Sequence, residues 1–338
     1  MTKTQQLQNT NRNTIIPIFF ATDDNYVPFL AVALRSMIDN ANKEYQYKIY
    51  ILNAGLNDTN TKIISDYQRS GFEINFVNVT KMMSGLTDDL DTRDYYTKTT
   101  YFRFFIEPMF PQYDKALYLD ADIVVLGDIS QLYFTEVGDN IIGAIPEQIV
   151  ASTPEYREYS QTVLGLDYHK YFNAGILVMN LKAFRKAKIE KTFISMIQKY
   201  HFDTIAQDQD YLNFIVKDKV TYIDFSWNKE CNNYAICEKP NLIHYALFKK
   251  PWTYYGMMYD ECFWQYAKQT VFFDMLWQRR INHTNEDKQK DELADINLHL
   301  RALKICASDY VFSKVVPTNA TTFDDNKSLD ICFACDIA

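Results

Sequence analysis

Short apolar runs alternate with helix-length amphipathic segments through most of the chain, and no other feature restricts its fold as strongly. Residues 15–21, 48–52 and 74–79 have the length and composition of buried strands, while 28–40 and 58–69 carry the spacing of amphipathic helices. A β-α-β-α-β rhythm of this kind predicts an α/β fold: a Rossmann-like, mainly parallel sheet covered by helices. The pattern continues with a helix over 99–107, strands over 116–119, 141–145 and 176–179, and helices over 189–200 and 208–216. Pro17 cannot donate to a ladder, which puts it at the start of the first strand or at a bulge.

Glycine narrows the kind of α/β sheet. The chain holds nine Gly in 338 residues, and no G-x-G-x-x-G follows the first strand. Dinucleotide-binding domains and P-loops use glycines to bring backbone N–H groups onto phosphate, so neither reading has its main support. A diphosphate bound here must be held by metal and side chains. The formal net charge of −8 argues against nucleic acid as a partner, because phosphate backbones are bound by clustered Lys and Arg. The 25 Tyr and 23 Phe suit planar ligands such as bases and sugar rings, and equally an aromatic core.

No stretch approaches the ~18 apolar residues that span a bilayer, and residues 1–13 are polar, so a poorly ordered N-terminus and a cytoplasmic location are expected. The six Cys fit neither a disulfide framework nor a paired zinc ribbon, and the lone C-x-x-C of Cys332 and Cys335 has no partner motif. From Tyr259 the chain becomes helical, first aromatic through Phe263, Trp264, Phe272, Phe273 and Trp277, then strongly charged. Residues 14–258 therefore read as a catalytic domain and 259–338 as a helical C-terminal extension. Segment 259–280 either packs on that domain or meets a membrane surface or partner protein.

The chemistry is concentrated at Leu119-Asp120-Ala121-Asp122, where an apolar strand ends in two carboxylates spaced i, i+2. At a turning strand end they can converge on one hard cation, whose other positions diphosphate oxygens and water fill. Ligands at the carboxyl ends of strands are what an open α/β sheet predicts. Downstream, His244 closes an apolar run and Lys250 follows it in Lys249-Lys250-Pro251-Trp252. His244 can complete the metal shell, a mixed carboxylate and imidazole set that suits Mn²⁺ better than Mg²⁺, and Lys250 can place its charge on a departing diphosphate. Asp-x-Asp also occurs in surface turns, and a His after a strand also serves as a structural residue; together they favour a metal site. Tyr171-Phe172-Asn173-Ala174-Gly175 and Gln207-Asp208-Gln209-Asp210 carry further polar groups, the second also fitting an acidic helix start.

Those motifs, together with Phe20-Ala21-Thr22-Asp23-Asp24-Asn25-Tyr26 and Thr99-Thr100-Tyr101-Phe102-Arg103, resemble glycosyltransferase family 8, and within it the bacterial lipopolysaccharide α-galactosyl- and α-glucosyltransferases. The resemblance runs from Ile15 to Trp252 and implies a GT-A type nucleotide-sugar fold. It implies that Ala21, Asp23, Asn25 and Tyr26 hold uridine, with Tyr26 stacked on the base. Asp120, Asp122 and His244 would bind Mn²⁺, with Ala121 between the carboxylates among the cofactor-binding residues and Lys250 on the diphosphate. Arg103, Asn173 and Asp208 would hold the donor sugar, Gln209 would lie beneath its anomeric carbon, and Gly175 would let the chain pass close to the site. The family's H-x-x-G-x-x-K-P-W element has Leu247 in place of its Gly.

The implied activity is retaining transfer of glucose or galactose from a UDP-sugar to a glycan, lipid-linked or protein-linked acceptor. Gln209 offers an amide oxygen, a poor nucleophile, which favours a short-lived ion pair over a stable glycosyl-enzyme. A sugar nucleotidyltransferase would be expected to show a Gly-rich loop after its first strand. A self-glycosylating priming protein and a non-catalytic nucleotide-sugar binder of the same fold are the remaining alternatives.

Overall fold

A computed structural model of the protein describes residues 14–83, 98–234 and 236–317. The expectations for residues 1–13 and for Cys332 and Cys335 fall outside these. Seven strands form the main sheet: β1 (Ile15–Ala21), β2 (Gln46–Asn53), β3 (Phe72–Asn78), β4 (Lys115–Leu119), β6 (Ile142–Pro146), β7 (Phe172–Asn180) and β8 (Val220–Tyr222), in the order β3-β2-β1-β4-β7-β6-β8. All neighbours pair in parallel except at β7, which runs antiparallel to β4 and β6. A small second sheet joins β5 (Ile123–Val125), β10 (Leu242–His244) and β9 (Lys229–Glu230).

Strand β1 is buried on both faces from its second residue, which is why its sequence is a continuous apolar run rather than an alternating one. Pro17 sits inside this strand rather than at its start or at a bulge. Thr14 and Thr22 both bond towards β2, so by the two-residue period Pro17 faces β4. Pairing with β4 begins only at Ile18↔Leu117, and no ladder donor is lost.

The first helix, α1 (Val27–Asn40), is apolar almost all round because it lies between two layers. One face packs under the main sheet, and the other presents Phe29 and Val32 to an aromatic cluster with Tyr245, Trp252, Phe263 and Trp264. Phe29 stacks on Trp252 with ring centroids 3.9 Å apart. α2 (Asp58–Ser65) is capped by the Asn57 side chain, which accepts from the Asn60 N–H. Residues 98–105 form a 3₁₀ helix, and α3 (Pro154–Val163), α4 (Ile189–Tyr200) and α5 (Gln207–Val216) complete the cover of the sheet.

The aromatic segment is helical as expected and consists of two helices, α6 (Asp260–Ala267) and α7 (Phe273–Asn282). Phe263 and Trp264 are buried against α1, so this part packs on the sheet layers. The charged segment is α8 (Asn285–Cys306), opened by a capping box between Thr284 and Asp287. It lies along α3 and is tied to the strand layers by Arg301, which pairs with Asp203, and by Asp291, which accepts from the Tyr254 hydroxyl at 2.9 Å.

Candidate active site

The strand order turns about β1: β2 and β3 lie on one side, β4 and β7 on the other. The crevice at the carboxyl ends of β1 and β4 is where an open α/β sheet places its ligand. The cavity found there is lined from β1 by Ala21, Thr22 and Tyr26 and from β4 by Asp120, Ala121 and Asp122.

The small second sheet brings the remote histidine to these carboxylates. β10 runs antiparallel to β5 with His244 opposite Ile123, and the Tyr245 N–H donates to the Asp122 carbonyl at 3.0 Å. One ligand atom from each of Asp120, Asp122 and His244 therefore lies within 4.8 Å of the others. His244 Nε2 is 3.3 Å from Asp122 and 3.8 Å from Asp120. Its Nδ1 is 2.9 Å from the buried Asn228 Oδ1. An Nδ1–H donated to that amide oxygen leaves the Nε2 lone pair aimed at the carboxylates, the outer hydrogen bond a metal-bound imidazole uses.

Lys250 donates to Asp122 Oδ2 at 2.6 Å and also to the Tyr245 carbonyl. Burial works against the Asp122 anion, yet Lys250 and His244 outweigh it and hold the carboxyl well below the usual carboxylate range. For His244 burial likewise opposes the charged form, and the hydrogen bond and charge of Asp122, with Asp120 behind it, leave its pKa raised. A divalent cation would take the place of that proton.

Space for the cluster depends on Gly175. A Cβ there would lie 2.5 Å from Asp120 Oδ2, 2.6 Å from His244 Cε1 and 2.9 Å from Asn173 Oδ1. The backbone around it is freed by an irregularity in the sheet. β6 pairs with β7 as far as Ala144↔Leu177 and resumes at Ile145↔Asn173, so residues 174–176 have no β6 partner. Functional side chains use the released groups. The Ala174 N–H donates to Gln209 Oε1 at 2.8 Å, and the Ala174 carbonyl accepts from Arg103.

Arg103 is the hub of the second half of the site. It pairs with Asp208 at 2.9 Å and Asp120 at 3.3 Å, with its guanidinium 4.4 Å from the Tyr118 ring centroid. Burial pushes the Asp208 carboxyl up to about 7 despite Arg103 beside it. Gln209 is held at both ends, its Nε2 donating to the Tyr171 hydroxyl at 3.1 Å. Asp210, fully buried, accepts from the Tyr159 and Tyr171 hydroxyls and the Ile205 and Ala206 N–H groups, so it anchors the start of α5. Two non-glycine residues beside the site have left-handed backbone, Gln207 at φ 42° and Leu247 at φ 61°. Strain of this kind costs roughly 1–3 kcal/mol and gathers at functional sites.

Of the residues singled out from sequence, Ala21, Tyr26, Arg103, Asp120, Ala121, Asp122, Asn173, Gly175, Asp208, Gln209, His244 and Lys250 line one cavity. Asp23 and Asn25 stand apart from that lining. Asp23 Oδ1 accepts from the Asn25 and Tyr26 N–H groups at the entry to α1, and Asn25 is exposed. Sequence reasoning missed Glu147, which accepts from Asn173 Nδ2 at 2.7 Å, and Asn228 behind His244. Neither stands in a motif, since each is a lone polar residue whose role comes from tertiary pairing.

Comparison with known proteins identifies the family. Residues 17–256 match the model of Glycosyl transferase family 8. A putative glycosyltransferase of Haemophilus influenzae is 30% identical over 226 residues, 67% of each chain. A lipopolysaccharide 1,2-glucosyltransferase of Escherichia coli is 26% identical over 265 residues, 73% of this chain and 75% of its own. Among solved structures, the galactosyltransferase LgtC in complex with donor and acceptor sugar analogues superposes with a TM-score of 0.61 at 26% identity, over 76% of this chain and 96% of its own. The mixed sheet is thus of the GT-A type. With the match taking in most of the chain, including Asp120, Asp122, His244 and Lys250, this protein belongs to glycosyltransferase family 8.

Proposed function

We propose that the chain is a metal-dependent, retaining hexosyltransferase that moves glucose or galactose from a UDP-sugar to a glycan, lipid-linked or protein-linked acceptor. The observation that carries this reading is the convergence of Asp120, Asp122 and His244 beside Lys250, around the space that Gly175 leaves open. The donor set fits a divalent cation: two carboxylates and an imidazole whose free nitrogen faces them. Mn²⁺ held there, with Mg²⁺ as the second candidate, would supply Lewis-acid stabilisation of the leaving diphosphate.

The remaining roles belong to the chain itself. Tyr26 offers its ring to the uracil, and Lys250, anchored on Asp122, presents a buried cation to the departing UDP. Arg103, Asp208 and Asn173 offer donors and acceptors to the sugar hydroxyls. Gln209 is fixed by Ala174 and Tyr171, with its carbonyl already accepting one hydrogen bond, which suits stabilisation of positive charge at the anomeric carbon better than covalent attack. As the bond to UDP breaks, the acceptor hydroxyl bonds to the same face and its proton passes to the departing phosphate oxygen. The configuration is kept.

The lipopolysaccharide relatives support a place in cell-surface glycan synthesis. Among the described residues no helix is long and apolar enough to cross a membrane. Cytoplasmic action at the inner face of a membrane is part of the proposal, with exposed Val271, Met275 and Trp277 of segment 259–280 as the candidate contact. A donor screen by UDP release, with Mn²⁺ or EDTA, tests the reading: it expects turnover of one UDP-hexose that EDTA abolishes. No turnover of any UDP-sugar, or turnover that EDTA leaves intact, overturns it.

A further inference from the structure

The helices that follow the family match build a second wall onto the site. Across a groove of about 420 Å³, α7 and the start of α8 face residues 248–253. Tyr26 and Lys250 line both this groove and the carboxylate cavity, so the two spaces meet at the same pair of side chains.

The basic side chains of the groove are not equivalent. Lys250 is paired with Asp122 at 2.6 Å, Lys290 with Glu286 at 3.2 Å, and His283 with Asp291 at 3.1 Å. Arg279 has no ion pair among the described residues, and its guanidinium stands 5.3 Å from the Phe29 ring centroid. It lies close enough to Tyr26 that its positive charge works against the burial that raises the Tyr26 phenol. Its neighbour Arg280 serves the fold instead, buried and paired with Asp260 at 2.9 Å. A guanidinium held on an aromatic face, without an ion-pair partner among the described residues and in a groove that Lys250 also lines, suits a phosphate group.

Resting on the UDP-sugar reading, we propose that Arg279 is a phosphate-binding residue contributed by the C-terminal helices, which grips the nucleotide diphosphate together with Lys250. The donor pocket is then completed by a segment outside the stretch that matches the family. A phosphate on the acceptor is the other source of the same chemistry.

The test is isothermal titration of UDP and of uridine, each with Mn²⁺, into the full-length wild type, Arg279→Ala and Arg279→Lys, with melting temperatures as a control on folding. The expected result is that Arg279→Ala weakens UDP by about tenfold or more, the scale of a charge-assisted hydrogen bond, and leaves uridine unchanged. Arg279→Lys should recover part of the loss. UDP affinity unchanged in Arg279→Ala overturns the proposal, and a raised KM for a phosphorylated acceptor alongside it assigns Arg279 to that substrate. Equal losses for UDP and uridine also overturn it, since they show an effect on the base through Tyr26. Failure of the wild type to bind UDP at all sinks the donor reading itself, a result distinct from the other two.

Discussion

Replacing Gly175 by alanine adds one methyl group at the point where the metal and sugar residues meet, and the structure says what that group must displace. Its contacts would be 2.5 Å to Asp120 Oδ2, 2.6 Å to His244 Cε1 and 2.9 Å to Asn173 Oδ1. Restoring ordinary contact needs shifts of about 0.9 Å at Asp120 and about 0.8 Å at His244. The backbone at Gly175 is not left-handed, so the conflict is one of space and alanine carries no added backbone strain. Overpacking of this kind costs about 1–3 kcal/mol of stability, which a chain of this size should survive. Activity should suffer more, because misplacing reacting groups by ~1 Å costs on the order of 100-fold in rate. The assay is UDP release at saturating donor over a Mn²⁺ titration, with thermal melting alongside. The account predicts a folded variant whose kcat falls about 100-fold and whose Mn²⁺ requirement rises. A Gly175→Ala protein with normal kcat and normal Mn²⁺ dependence would refute the placement of the metal around this residue.

Asp120→Asn and Asp122→Asn should both abolish metal-dependent turnover but differ in stability: Asp120 is about a quarter exposed, whereas Asp122 neutralises the buried Lys250. Breaking a buried pair costs about 3–5 kcal/mol, so urea unfolding should separate the two, and equal stabilities would contradict the buried-pair argument. At Leu247, φ 61° predicts that Leu247→Gly is more stable than Leu247→Ala by about 1 kcal/mol in chemical denaturation; alanine equal to or better than glycine would show that this backbone is unstrained. Asp208 titrates near 7 when folded because burial raises it, so its contribution to stability is present in acid and lost as pH rises from about 4 through 7. Asp208→Asn in EDTA should remove up to about 4 kcal/mol of that decline, and matching pH profiles for wild type and variant would contradict the shift.

What could be read from sequence was what is encoded locally. Asp120 and Asp122 end an apolar strand, and His244 and Lys250 stand in a recognisable run, so periodicity and spacing located them without a fold. Strand direction is not encoded in a run of apolar residues, and nothing in 176–179 marks β7 as antiparallel or as starting at Phe172. The shift against β6 that frees Ala174 and Gly175 is equally invisible, because it arises from pairing between distant segments. Pro17 was legible as an anomaly but not as a solution, since the answer depends on where β4 begins. Asn228 and Glu147 escaped for the same reason: a buried polar residue acquires its meaning from the partner it meets.

The central claim is retaining transfer from a UDP-hexose, and one measurement reaches it without knowledge of the acceptor. Proton NMR can follow slow hydrolysis of the preferred UDP-α-hexose by the Mn²⁺-loaded enzyme, reading the anomer of the sugar released in the first minutes, before mutarotation mixes the two. Departure and attack on one face, with Gln209 unable to act as a base, predicts the α anomer first. The β anomer appearing first would contradict both the retaining mechanism and the role given to Gln209.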